Sequence, residues 1–172
     1  METLEAIRTR RSVRQFTGEP LSEQQMETLL QAGMYAPSAH DRRPWVFVTS
    51  TRAEVLEQLA AQARWWKMLP QAGTAILVCA DMTKGEKVKD EMHLSGCNAA
   101  IQNILLAAHD MGLGAVWLGV CEGSDMEPPV RQIFHLPDHI RVVGMVAVGH
   151  PACAPQQPAE RGDFSLWHKE QW

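Results

Sequence analysis

Between Ala99 and Ala108 the chain carries apolar side chains around nearly the whole circumference of a helix. The pattern runs over about residues 93–111 and is ended by Gly112. A helix apolar all round must be covered on every side, in a monomer core or at a subunit interface. Residues 74–80, TAILVCA, are a continuous apolar run of strand length, which reads as a strand covered on both faces. Residues 45–49, 115–119 and 141–149 read as three further strands.

Four helices complete the pattern. The first covers residues 3–10, with Leu4 and Ile7 on its inner face. A second starts at Ser22, where Ser22 and Gln25 make a capping box; Met26, Leu29 and Leu30 form its apolar face and Gly33 its stop. A third opens at a second capping-box pattern, Thr51 and Glu54, and runs to about Met68. A short one lies over residues 129–134. The charged stretch 81–91 reads as a surface loop. Beyond Pro151 an irregular, proline-rich tail with Trp167 needs something to pack on. Helices alternating with four buried strands predict a three-layer α/β-type sandwich. The pattern suggests a doubly wound sheet but leaves strand order and direction open. With no repeat, low-complexity stretch or domain boundary, one unit over 1–172 is expected.

The 172 residues carry a net charge of −4, which argues against nucleic acid as the main partner. No apolar run reaches the roughly 18–20 residues that span a bilayer, so no membrane is expected as a partner. METLEAIRTRRS lacks a secretory apolar region. Cys79, Cys97, Cys121 and Cys153 show no CxxC pair, and three of them sit in apolar surroundings, as buried free thiols do. A reduced, cytoplasmic setting is expected. The seven histidines make no HxH or HExxH group, so no metal is expected, and no GxSxG or paired cysteine offers a nucleophile.

The sharpest chemical feature is Arg8, Arg10, Arg11, Ser12 and Arg14 in an otherwise acidic chain. Crowded like charges cost a few tenths of a kcal/mol per pair. Either an anion relieves them, with arginine forks and a hydroxyl as donors, or they form a solvated basic helix end. The loop APSAHDRRPW offers Ser38 and backbone amides between Pro37 and Pro44, or is an ordinary helix-to-strand turn. GLGAVWLG, residues 112–119, either lets backbone approach a flat ring or is an ordinary helix C-cap feeding a strand. It leaves a helix and enters a strand, the reverse of a dinucleotide fingerprint. Trp65 and Trp66 cannot both point into one core, so one must reach a cleft or interface. Lys67 follows, either beside a bound anion or exposed at a helix end.

Taken in order, RRSVRQF (10–16), APS (36–38), GTAILVCA, NAAIQNILLAAHDMGLGAVWLG and VGHP followed by Arg161 resemble the nitroreductase family of FMN-dependent enzymes over nearly the whole chain. The resemblance implies an α+β three-layer sandwich, a mixed and mainly antiparallel sheet flanked by helices, in an intertwined homodimer. The long apolar helix would build the interface and the tail would wrap the partner. It implies FMN at the subunit interface, with Arg10, Arg11, Ser12, Arg14 and Arg161 on the phosphate and ribityl chain. Pro37, Ser38 and Ala39 would pack on the ring from the other subunit. Leu118 and Gly119 would offer backbone near N5, and Lys67 would stand near the pyrimidine edge. It further implies hydride transfer from NAD(P)H through the flavin to an electron-poor small molecule such as a nitroaromatic or quinone. No side chain is then catalytic, and Trp65 and Trp66 become candidate walls of the acceptor pocket.

Where many members have Asn-x-Gln-Pro, this chain has Asp41, Arg42, Arg43 and Pro44. A carboxylate there disfavours a reduced, anionic flavin unless Arg42 or Arg43 pairs with it. The alternatives are a specialised flavin dehydrogenase or dehalogenase, a non-catalytic flavin-binding or storage protein, and a cofactor-free protein using its basic patch for interaction.

Overall fold

A computed structural model describes residues 1–84, 88–120, 122–154 and 161–172. The apolar runs form a four-stranded sheet from β1 (Trp45–Ser50), β2 (Ala75–Asp81), β3 (Gly114–Leu118) and β4 (Ile140–Gly149), in the order β1-β2-β4-β3. Every pairing is antiparallel. The doubly wound alternative is therefore wrong, because apolar patterning reports burial and says nothing of strand direction. An isolated parallel bridge joins Ser12 to Ala115 at the β3 edge, outside the four strands.

Helices cover both faces. On one side lie α2 (Glu23–Met34) and α5 (Asp90–Asp110), with Leu29, Ile76, Val78, Ile101, Ile104 and Val146 in the core between them and the sheet. On the other, α3 (Ala53–Ala60), α4 (Leu69–Ala72) and α6 (Glu127–Phe134) cover Leu77, Cys79, Val116, Val142 and Met145. The central strand β2 is buried along its length apart from Asp81, as its unbroken apolar run requires.

Several local expectations need correcting. The Ser22–Gln25 capping box forms in both directions, but Gly33 does not stop α2. A side chain there would stand 3.0 Å from Phe47 Cζ and 3.1 Å from Ile104 Cδ1, so the glycine lets the helix lie close to β1 and α5. No box forms at Thr51 and Glu54: the Arg52 N–H is held by the Ser50 hydroxyl (3.3 Å) and α3 begins at Ala53. The helix expected to reach Met68 ends at Ala60. The chain then extends at Ala63 and turns through Arg64–Trp66, which brings Trp66 and Leu69 into the core.

On α1 (Thr3–Thr9) the inner residue is Ala6, while Leu4 and Ile7 face solvent. Within one chain α5 buries only one side: Ala100, Ile101, Ile104, Leu105 and Ala108 are covered, but Ala99, Leu106 and Ala107 are only half-buried. The described end of the tail, 161–172, is exposed throughout.

Candidate functional site

The arginine segment is shaped by two backbone attachments. The Val13 N–H donates to the Ala115 carbonyl (3.0 Å), which docks the strap against the β3 edge. Further along, the Thr17 N–H reaches the His150 carbonyl (2.9 Å) and the Ala152 N–H the Gln15 carbonyl (2.9 Å). The strap is thus threaded between β3 and the chain leaving β4. Gly114 makes this possible, since a Cβ there would lie 2.7 Å from Val13 Cγ1.

Arg10, Arg11, Ser12 and Arg14 on this strap meet Arg161 around one cavity of about 670 Å³, whose lining also includes Val13, Gln15, Cys153 and Ala154. Four guanidinium groups converge there, and among the described residues the lining holds no carboxylate. Arg10 is partly buried; burial first, then the charges of Arg11 and Arg161, lowers its guanidinium below the ordinary range. It remains a cation, but one held beside like charges it cannot escape. Such a cluster is built for an anion with several oxygens, because each guanidinium offers fixed, charge-assisted donors.

The loop after α2 is strained and self-paired. His40, Asp41 and Arg43 adopt φ near +50° (52, 53 and 50°), a region that costs a non-glycine residue of order 1 kcal/mol or more. The Ser38 hydroxyl accepts the Arg43 N–H (2.9 Å), and Arg43 grips Asp41 through both carboxylate oxygens (2.8 and 2.6 Å). That hydrogen bond, with Arg43's charge, keeps the Asp41 carboxyl below its usual range. Pro37 and Ser38 lie on α5, where Gly96 leaves room: a Cβ there would be 3.4 Å from the Pro37 carbonyl oxygen.

The remaining candidates stand apart. Pro37, Ser38, Ala39, Asp41, Lys67, Leu118 and Gly119 do not line the arginine cavity of the same chain. Leu118 is buried, and around Gly119 a Cβ would meet nothing within 4 Å, so its backbone is open to approach. Lys67 is exposed, at the end of the turn Arg64–Trp66. The two tryptophans part as their adjacency requires: Trp65 is 57% exposed, while Trp66 is fully buried with Leu56, Leu59 and Leu69. Trp66 is therefore core and no wall of an open pocket. Among the described residues no group of side chains could hold a metal ion, and no helix is long and apolar enough to cross a membrane.

Comparison with known proteins decides the family. The nitroreductase family model matches residues 7–66 and 55–150. The chain belongs to the nitroreductase family. A relative from Methanothermobacter thermautotrophicus, provisionally named an NADH dehydrogenase/NAD(P)H nitroreductase, is 38% identical over 174 residues, covering 100% of this chain and 88% of its own. A crystal structure from Parabacteroides distasonis with the same provisional name superposes at a TM-score of 0.91 and 38% identity, covering 99% of this chain and 98% of that one. A provisionally named nitroreductase from Desulfovibrio desulfuricans, solved in complex with FMN, gives 0.83 and 31%, covering 100% and 99%. The α+β architecture is thus the nitroreductase fold.

Two features of the site were not legible in the sequence. Gln15 and Cys153 line the cavity because residues 15–17 pair with 150–152, a pairing no motif signals. Thr9 and His109 join the end of α1 to the end of α5 (2.8 Å) beside Arg10. The thiols differ sharply: burial pushes Cys79 and Cys97 up to about 12, whereas Cys153 is exposed at the cavity. Cys121 lies outside the described residues. Iodoacetamide should therefore label Cys153 in the native protein and reach Cys79 and Cys97 only after unfolding, as read by peptide mass spectrometry. Saturating FMN should slow the Cys153 reaction if it fills this cavity.

Proposed function

We propose that this chain binds FMN and, as a homodimer, carries electrons from NAD(P)H to an electron-poor small molecule such as a nitroaromatic or a quinone. The observation that carries the reading is the cavity where Arg10, Arg11, Arg14 and Arg161 converge. A phosphate monoester fits it: roughly two negative charges and three acceptor oxygens against guanidinium forks and the Ser12 hydroxyl. FMN when bound supplies the hydride-transfer chemistry. The chain's own residues anchor and surround it. The strap fixes the phosphate end relative to β3, and Gly119 leaves backbone open at the strand's end.

A second copy explains what one chain leaves undone. The chain exposes 10641 Å², where a compact monomer of 19.2 kDa would expose about 8,400 Å². Leu4, Ile7, Tyr35, Trp117, Phe164, Leu166 and Trp167 are all substantially exposed, and Ala99, Leu106 and Ala107 of α5 are only half-buried. In a homodimer Pro37, Ser38, Ala39 and the Asp41–Arg43 pair would come from the other subunit to the flavin ring, with Leu118, Gly119 and Lys67 beside it. The ion pair answers the chemical objection to Asp41, since its charge is already matched. Trp65 remains the candidate wall of the acceptor pocket. One unit over 1–172 in a reducing cytoplasm suits this reading and the free thiols.

The test is the absorbance spectrum of the purified protein, recorded anaerobically before and after NADH and NADPH, then with a quinone. Flavin bands that bleach with a nicotinamide and return with the quinone are expected. A colourless protein that takes up no added FMN would overturn the reading. A yellow protein that neither nicotinamide reduces would leave flavin binding standing and remove the donor.

A further inference from the structure

His109, in the last turn of α5, sets its ring against Thr9 at the end of α1, the residue that precedes Arg10. The Thr9 hydroxyl has one hydrogen, and it is given to the Glu5 carbonyl (2.7 Å). The contact between Thr9 Oγ1 and His109 Nε2, 2.8 Å, therefore has the imidazole as donor, with hydrogen on Nε2. The neighbouring turn is tied as well: the N-terminal ammonium of Met1 pairs with Asp110 Oδ1 at 2.6 Å. Two contacts thus hold α1 on the C-terminal end of α5, and the next residue, Arg10, enters the arginine cavity.

We infer that His109 is a positioning residue of the anion cavity: it clamps the end of α1 that presents Arg10, and it takes up a proton when the cavity fills. The inference rests on the proposed phosphate site. A second proton on the ring goes to Nδ1, so the bond from Nε2 to Thr9 survives and only the charge changes. In the unfilled cavity that added charge would face Arg10, close to Arg11 and Arg161. The other charged groups around the ring are Asp110, Glu5 and, paired to Asp110, the Met1 ammonium. Burial first and then Arg10 hold the imidazole below its ordinary value, against the opposing pull of Asp110 and Glu5.

A histidine lowered on folding binds its proton more weakly in the folded state than in the unfolded one. It therefore costs stability as pH falls through the interval below the ordinary value. A dianion over the arginines cancels the nearest repulsion, raises the proton affinity of His109, and by reciprocity binds more tightly as that proton goes on. Among the described residues the cavity lining contains no histidine and no carboxylate to mimic the effect.

Sulfate is the discriminating probe, because it stays dianionic where the second ionisation of a phosphate monoester, near pH 6, would add its own slope. NMR titration of His109 in the full-length chain, with and without saturating sulfate and FMN, reads the linkage directly. Both anions should raise its titration midpoint. Sulfate affinity should tighten about two- to fivefold between about pH 7.5 and about pH 5.5. His109→Gln keeps an N–H donor for Thr9 and should bind sulfate without the slope, whereas His109→Leu should bind more weakly than His109→Gln at every pH. A midpoint that ignores FMN while FMN binds would overturn the inference and leave the flavin reading intact. Failure of the native chain to take up either anion would remove both.

Discussion

The double substitution Arg10→Ala with Arg14→Ala should strip the protein of its flavin. Each lost charge-assisted hydrogen bond costs about 1.5–3 kcal/mol. Two such losses weaken FMN binding by about 3–6 kcal/mol, or roughly 10²- to 10⁴-fold. The protein itself should not suffer. Without an anion the two arginines stand beside Arg11 and Arg161, with no carboxylate among the described lining residues. Removing them relieves like-charge repulsion of a few tenths of a kcal/mol per pair. The expected result is an unchanged or slightly raised melting temperature without FMN, and loss of the rise that FMN gives the native protein. Fluorescence titration and thermal melts with and without FMN check both halves. Undiminished flavin retention in the double variant would place the phosphate elsewhere.

That prediction draws on residues visible in the sequence, and the reason is physical. Four arginines within residues 8–14 of an acidic chain are an electrostatic anomaly that composition exposes. The buried strand read from the apolar run 74–80 and the capped helix after Ser22 were equally legible, because burial on two faces and N-capping leave direct residue patterns. Strand direction was not. An antiparallel β2 sealed by helices on both sides carries the same unbroken apolar run as a parallel one. The third helix misled for a related reason: residues 60–63 contain no breaker, and the chain bends there because Trp66 and Leu69 find the core. Leu4 and Ile7 have the spacing of an inner face, yet this chain gives them nothing to face. A periodicity names the side to be covered and is silent on whether the cover belongs to the same molecule.

The second large effect is expected at a residue that touches no ligand. Gly149 ends β4 opposite Gly114 of β3, directly before the stretch 150–152 that holds the strap. A Cβ on Gly149 would collide with the Ala72 carbonyl oxygen and stand 3.0 Å from its carbonyl carbon and 3.2 Å from its Cα. These are backbone atoms at the end of α4, which turns at Gly73 with φ 75° straight into β2. They cannot swing aside as a side chain would, and β4 cannot retreat without breaking its pairing to β2 and β3. Gly149→Ala should therefore cost on the order of 3 kcal/mol, the upper range for overpacking. For a chain of this size that lowers the melting temperature by about 6–12 °C. Gly119→Ala provides the contrast: nothing lies within 4 Å of its Cβ position, so the fold should melt as the native does. FMN affinity should fall in Gly149→Ala as well, since any shift of residues 150–152 moves Gln15 and Thr17, and with them the strap that presents the arginines. A Gly149→Ala protein that melts within a degree or so of the native would mean that the α4–β2 turn yields at little cost. The strap would then owe its position to the Val13–Ala115 bond rather than to the end of β4.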